Sequence, residues 1–289
     1  YMTQENQEKS NLIGILDRNL YHYSKLSKSN FKLDKNTLDK VVHEEPLQIK
    51  INDKIISITM RTPGHDKLLA IGFLFSEGII KNFSDILNIH FYPDSNIVNV
   101  IIDKNEVSLP DLNSHTKRGT ITSSSCGVCG RESIDDILSI CNSQEIYPTI
   151  KKEFIQKSVN ILRQNQTIFS HTGGCHGAAA INNNGDLLSV HEDIGRHNAV
   201  DKVIGSLVEN DLIDKSKKIL PNKTSILVVS GRLSFEIVQK CAVASIPVIS
   251  SVSAPSSLAI DLASELGITI TSFVRKKGFN IYTHKERII

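Results

Sequence analysis

The chain has 289 residues, 40% hydrophobic and 22% charged, which is enough to bury a core and too apolar for a disordered chain. Lys and Arg total 33 against 31 Asp and Glu, and the net charge of +2 excludes a general electrostatic case for nucleic-acid binding, so anion binding has to be local. No run approaches the ~20 continuous apolar residues of a membrane helix, and the opening YMTQENQEKSNLIG lacks the basic start and apolar run of a signal peptide.

A cytoplasmic protein is therefore expected, in which a close cysteine pair is metal-binding or reactive rather than a structural disulfide. Residues 1–40 are polar and weakly patterned, and read as a loose arm. A smaller α+β domain is expected over 41–125. There LQIKINDKIISITM reads as two strands around the Asn52-Asp53 turn. RTPGHDKLLAIGFLFSEG reads as a Pro63-Gly64 turn, an apolar helix and a stop at Gly78. ILNIHFYPDSNIVNVIID gives two more strands across Pro93–Asn96. A cysteine loop and helix follow over 126–150, with Ile134, Ile137, Leu138 and Cys141 at helical spacing.

The remaining residues, 151–289, read as a layered α/β domain. KKEFIQKSVNILRQ predicts a helix, GAAAINNNGDLLSV a hairpin, and IGRHNAVDKVIGSLVEN a helix with Val200, Val203, Ile204, Leu207 and Val208 on one face. SILVVSG is a short, wholly apolar strand of the kind found in a sheet covered on both faces. The helix LSFEIVQKCAVAS, the strand IPVIS, the helix SSLAIDLASELG and the strand ITITSFV complete a strand–helix–strand–helix–strand run, which implies parallel crossovers.

The segment SSSCGVCGRES places Cys126 and Cys129 three apart in a small-residue loop. Zinc would need two further ligands. Cys175, His176, His191 and His197 are available, but none forms a second tight pair. A deaminase-type site requires a Pro-Cys-x-x-Cys after a His-x-Glu, and here no Pro precedes the pair. A thioredoxin-like role lacks the preceding βαβ context. As a carrier thiolate, the pair gains exposure from Gly127 and Gly130, and a lowered thiol pKa from Arg131 and the start of the following helix. Unreactive loop cysteines remain the plain alternative. Cys141 and Cys241 fall on apolar helix faces and read as core.

Anion-binding candidates gather at expected strand ends. Ser230-Gly231-Arg232 follows one strand, and Ser256-Ser257 follows the next. Phe273-Val274-Arg275-Lys276-Lys277-Gly278 then sets cations and a glycine between Phe273 and Phe279, which suits a nucleotide. There is no P-loop and no G-x-G-x-x-G. HEDIGRHNAVDK concentrates His191, Glu192, Asp193, Arg196, His197 and Asp201, either as ligand-positioning or acid–base groups or as a helix-capping surface. Arg61 and His65 in RTPGHDK are functional candidates or turn chemistry.

Taken in order, SSSCGVCGRES, HTGGCHGAA, HEDIGRHNAVDKVIG, SGRLSFEIVQK, SAPSSLAIDLA and FVRKKGFNIYTH resemble the FdhD family of formate dehydrogenase accessory sulfurtransferases. The resemblance covers the chain from about the first hairpin to the C-terminus. It implies a sulfur carrier that takes persulfide sulfur from a cysteine desulfurase. The carrier passes it to the molybdenum (or tungsten) bis-pterin guanine dinucleotide cofactor, which then enters the catalytic subunit of formate dehydrogenase. By the same resemblance Cys126 matches the persulfide-bearing cysteine, Cys129 its loop partner, and Phe273 to Gly278 the cofactor-binding stretch. It also implies a homodimer with a cytidine deaminase-like α/β/α fold and no intrinsic metal. Arg232 and the HEDIGRHN segment are read as helping to hold the guanine dinucleotide or lining the path of sulfur. The other reading of the residues is a zinc-stabilised nucleotide-binding protein without sulfur chemistry.

Overall fold

The computed structural model describes residues 13–25, 31–33, 37–103, 149–213 and 224–289, and the structural statements below concern those residues. Cys126, Cys129, Arg131 and the helix expected from Ile134 to Cys141 lie outside them.

The segment read as a loose polar arm carries strands. β1 (Ile15–Leu20) pairs antiparallel with β4 (Thr37–Val42), and β2 (Tyr23–Lys25) with β3 (Phe31–Leu33). Ile15, at the base of this ribbon, is buried, whereas Arg18, Asn19, Asp39 and Lys40 are exposed. A two-stranded ribbon has little core to face, so its sequence lacks the alternation that marks a strand.

β5 (Glu45–Ile51) and β6 (Lys54–Arg61) form the expected hairpin. Asn52 and Asp53 both take positive φ, 46° and 68°, the type I′ geometry that short polar side chains tolerate. Leu47, Ile49 and Ile51 alternate into the core. α1 (Asp66–Ser76) ends where expected: Ile79 N–H donates to the Leu74 carbonyl and Gly78 N–H to that of Phe75. Gly78 supplies the left-handed φ of 73° that this double bond requires. β7 (Ile86–Tyr92) and β8 (Ile97–Ile102) are antiparallel, and β8 runs parallel to β5, giving a four-stranded sheet in the order β6-β5-β8-β7.

The second half forms a six-stranded sheet in the order β10-β9-β11-β12-β13-β14. Its strands are β9 (His176–Asn182), β10 (Leu187–Asp193), β11 (Thr224–Val229), β12 (Val248–Ser251), β13 (Thr269–Arg275) and β14 (Gly278–Ile281). β11, β12 and β13 are parallel, as their alternation with helices predicts. β9 is antiparallel to both β10 and β11, so β10 points the same way as the parallel set.

The helices α2 (Lys152–Gln164), α3 (Thr167–Thr172), α4 (Arg196–Glu209), α5 (Phe235–Val243) and α6 (Ser257–Glu265) complete the layers. α2 covers one face of the larger sheet, packing Ile155, Val159 and Leu162 on Ala179, Ile181, Val228 and Val248. α4, α5 and α6 cover the other face. Every residue of β11 is buried, because both faces are covered. The core on this second side runs without a break through α4 and α1 to Leu47, Ile49, Val98 and Val100 of the smaller sheet. α1 and α4 cross at Gly72 and Gly205, where an added Cβ would overlap the Asp201 and Leu68 carbonyls respectively. The two sheets are therefore joined by backbone-to-backbone packing.

Candidate functional site

The carboxyl ends of β10, β11, β12 and β13 lie along one edge of the larger sheet, and the loops that follow them are laced together. Ser251 Oγ donates to the Gly231 carbonyl at 2.7 Å, and Ser253 N–H donates to Ser251 Oγ at 2.9 Å. Leu233 and Ala254 share a backbone bond of 3.0 Å, and Phe273 N–H reaches the Ser253 carbonyl at 3.3 Å. Gly177, at the start of β9, donates to Ser230 Oγ at 2.9 Å. The strand-end segments named from sequence, including Arg232, Ser256-Ser257 and Phe273 to Gly278, are thus brought to one place.

Phe273 is 42% exposed and holds φ at 54°. A left-handed backbone is unfavourable for a bulky aromatic, and an exposed one gains little burial in return. The register slips between Ser272 and Arg275, so Phe273 is the bulge residue. It points out, while Val274 turns into the core beneath α2. Arg275, Lys276 and Lys277 are exposed beyond it. Gln156 of α2 donates to the Arg275 and Lys276 carbonyls at 3.1 and 3.3 Å, which fixes the turn and leaves the three cationic side chains outside. Arg232 is also exposed at this edge. Ser256 caps α6 by accepting from Ala259 N–H at 3.2 Å. The arrangement supplies an aromatic face, four cations and laced backbone, chemistry suited to a base and a diphosphate.

The HEDIGRHN segment divides between support and site. Asp193 is buried and accepts from Thr62 N–H, Gly195 N–H, Asn198 Nδ2 and Lys202 Nζ at 2.7 to 3.1 Å. Asp201 is buried against Lys240 at 2.8 Å and takes the Ser76 hydroxyl at 3.0 Å. Both carboxylates hold the two halves together. Arg196 and His176 flank Gly231, and burial, then the Arg196 charge, holds His176 below its ordinary pKa. His197 lies 3.3 Å from Ser234 Oγ and 3.8 Å from Glu236. Arg61 is turn chemistry: it is buried, bonded to Asp66 at 2.6 Å and to Asn96 at 2.6 Å. Cys175 is buried and donates to Glu192 at 3.2 Å, and burial, then the Glu192 charge, pushes its thiol pKa up, which disfavours the thiolate. Cys241 is core, as expected.

Away from that edge, His65 and His191 meet beside a cavity of about 350 Å³. Their rings are 4.5 Å apart at 61°. His65 sits at φ 59°, just before α1. Burial, then the neighbouring His65, then Lys202, push His191 down to about 3. Lys202, 1% exposed, escaped the sequence reading. Its signal was an Asp201-Lys202 pair inside the otherwise apolar AVDKVIG run, where a charge must find buried partners. No helix among the described residues is long and apolar enough to cross a membrane.

Comparison with known proteins places this geometry in context. The family model described as FdhD/NarQ family matches residues 42–289. The chain is 42% identical over 262 residues to a protein of Streptomyces coelicolor named sulfur carrier protein FdhD, covering 86% of this chain and 89% of that one. A protein of the same name from Sulfolobus acidocaldarius is 41% identical, with 91% and 97% covered. Another from Thermoplasma volcanium is 46% identical, with 87% and 90% covered. A crystal structure of a protein provisionally identified as a formate dehydrogenase accessory protein, from Desulfotalea psychrophila, superposes with a TM-score of 0.70 at 26% identity, covering 94% of this chain and 99% of that one. With residues 42–289 matched by the family model and relatives above 40% identity over most of their length, the chain belongs to the FdhD/NarQ family.

Proposed function

We propose that this protein is a cytoplasmic, homodimeric sulfur carrier for formate dehydrogenase. It accepts persulfide sulfur from a cysteine desulfurase on Cys126 and delivers it to the molybdenum (or tungsten) bis-guanine dinucleotide cofactor before that cofactor enters the catalytic subunit. The observation that carries the reading is the strand-end edge, where a strained, exposed Phe273 stands beside Arg275, Lys276, Lys277 and Arg232, in a chain whose relatives are named sulfur carriers. A guanine ring stacks on Phe273 and its phosphates meet the cations. The layers around the larger sheet also fit a cytidine deaminase-like fold.

The sulfur step uses the pair Cys126 and Cys129. The Cys126 thiolate attacks the outer sulfur of the donor's persulfide, a new S–S bond forms on Cys126, and the donor cysteine leaves as a thiolate. In the acceptor direction, Cys129 attacks the inner Cys126 sulfur, forms a Cys126–Cys129 disulfide and expels the outer sulfur as hydrosulfide toward the cofactor.

The test is an intact mass spectrum after incubation with a cysteine desulfurase and cysteine. One added sulfur per chain, removed by dithiothreitol and absent in Cys126→Ala, is the expected result. Undiminished loading of Cys126→Ala would sink the assignment, and stoichiometric zinc on an unmodified chain would replace it with a structural clamp.

A further inference from the structure

We infer that the cavity between the Thr62–His65 turn and strand β10 is a binding site for an uncharged planar nitrogen heterocycle, held by His65 and His191. It is separate from the strand-end edge, since neither Arg232 nor any residue from Phe273 to Gly278 lines it.

The two rings face each other edge to face at 4.5 Å, and neither hydrogen-bonds to any described residue. A neutral imidazole carries one N–H donor and one bare nitrogen acceptor. With His191 half-buried and His65 exposed at the cavity mouth, the pair presents two donors and two acceptors to whatever enters. Ile15, Pro63, Ile168 and Val190 supply apolar walls around them. His65 is also held over the cavity by a left-handed backbone, and strain of this sort gathers where a side chain has to be aimed.

The charged groups in the wall are already engaged. Lys202 Nζ gives its three hydrogens to the Thr62 carbonyl at 2.9 Å, the Glu192 carbonyl at 3.3 Å and Asp193 at 2.7 Å. The Glu192 carboxylate accepts from Ile168 N–H, Phe169 N–H and the Cys175 thiol at 2.7, 2.8 and 3.2 Å. Among the described residues lining the cavity an anion would find no free cation. Burial, then the Lys202 ammonium, lowers the pKa of His65, and burial, then His65, then Lys202, lowers that of His191, so the same surroundings disfavour a second cation. A metal ion would want a third protein ligand, and among the described residues no group of three His, Cys, Asp or Glu stands ready. An uncharged ring satisfies every constraint. Its faces meet the apolar walls and the imidazole edges, and its alternating N–H, ring nitrogen and carbonyl groups pair with the unused imidazole nitrogens.

Such a ring can arrive as a free base or as the base of a nucleotide, and the experiment separates the two. The full chain, labelled with ¹⁵N-histidine, is titrated at pH 7 with hypoxanthine, and the ring nitrogens of His65 and His191 are followed by long-range ¹⁵N–¹H spectra. Assignment uses His65→Asn, which tolerates the left-handed backbone, and His191→Phe, which keeps a ring but loses both nitrogens. Saturable shifts of both rings, with affinity at least tenfold weaker in each variant, are expected. If hypoxanthine still binds in the presence of saturating GDP, the source is a free base. If GDP moves the same two rings and displaces hypoxanthine, the cavity takes a nucleotide's base. Rings unmoved by either compound, or moved only by Zn²⁺, would overturn the inference. Should the variants not fold, the wild-type titration decides alone. Failure of sulfur loading or of GDP binding at Phe273 leaves this result untouched, so the two readings fail separately.

Discussion

Phe273 combines two costs that natural sequences avoid together: a large apolar side chain left 42% exposed, and a backbone at φ 54°. Left-handed conformation costs a residue with a Cβ ~1–2 kcal/mol, and glycine removes that cost while adding back ~0.5–1 kcal/mol of unfolded-state entropy. Phe273→Gly should therefore leave thermal stability within about 1 kcal/mol of the parent, yet weaken GDP binding about tenfold by deleting the stacking face. Calorimetric titration against a melting curve reads both, and retained affinity would remove Phe273 from the site. His191 gives a second residue-scale expectation. Its folded pKa, pushed to about 3, lies below the unfolded value near 6.5, so the unfolded chain binds the extra proton. The stabilisation is complete above pH 6.5 and is lost as pH falls from 6.5 toward 3. Between pH 7 and 5 the parent should lose roughly 1–2 kcal/mol more than His191→Phe in urea unfolding.

At the scale of elements, the strand ends decide what the basic run can do. Arg275, Lys276 and Lys277 would be ordinary turn decoration on an isolated hairpin, but Gln156 and the laced loops after β11 and β12 hold that turn beside Arg232. Replacing Arg275 and Lys276 together by Ala should lower GDP affinity at least tenfold and flatten its salt dependence, with sulfur loading of Cys126 unchanged. Equal affinity across a salt series would dismiss the cationic edge. Much of this was legible beforehand. β11, β12 and β13 announce themselves as short apolar runs between amphipathic helices, and their ends are where α/β sheets bind ligands. β14 was not legible, because its exposed edge position asks for no apolar alternation. Nor was the β1–β4 ribbon, for the same reason.

At the scale of the whole molecule, the α1–α4 crossing joins the two sheets into one core. Gly72 and Gly205 each lie against the other helix's backbone, so a methyl group at either meets a carbonyl rather than a movable side chain. Gly72→Ala should destabilise the chain by ~3 kcal/mol or more and lower Tm by several degrees, although alanine is the better helix former. An unchanged melting curve would mean that the helices can slide apart freely. The expected break between a smaller and a larger unit reflected a change of rhythm along the chain, which periodicity records. The shared core between them depends on which glycines face each other, and periodicity does not record that. By itself the sequence determined the helices and strands with strong local patterns, the two parallel crossovers that join β11, β12 and β13, the basic-aromatic segment and the ordered motifs of the family, since each is written in neighbouring residues. Only the tertiary structure decided that Asp193, Asp201 and Arg61 are supports, that Phe273 is turned outward by a bulge, and that His65 and His191 share a cavity, because those outcomes come from packing between distant segments, where burial and the pairing of charges override local pattern.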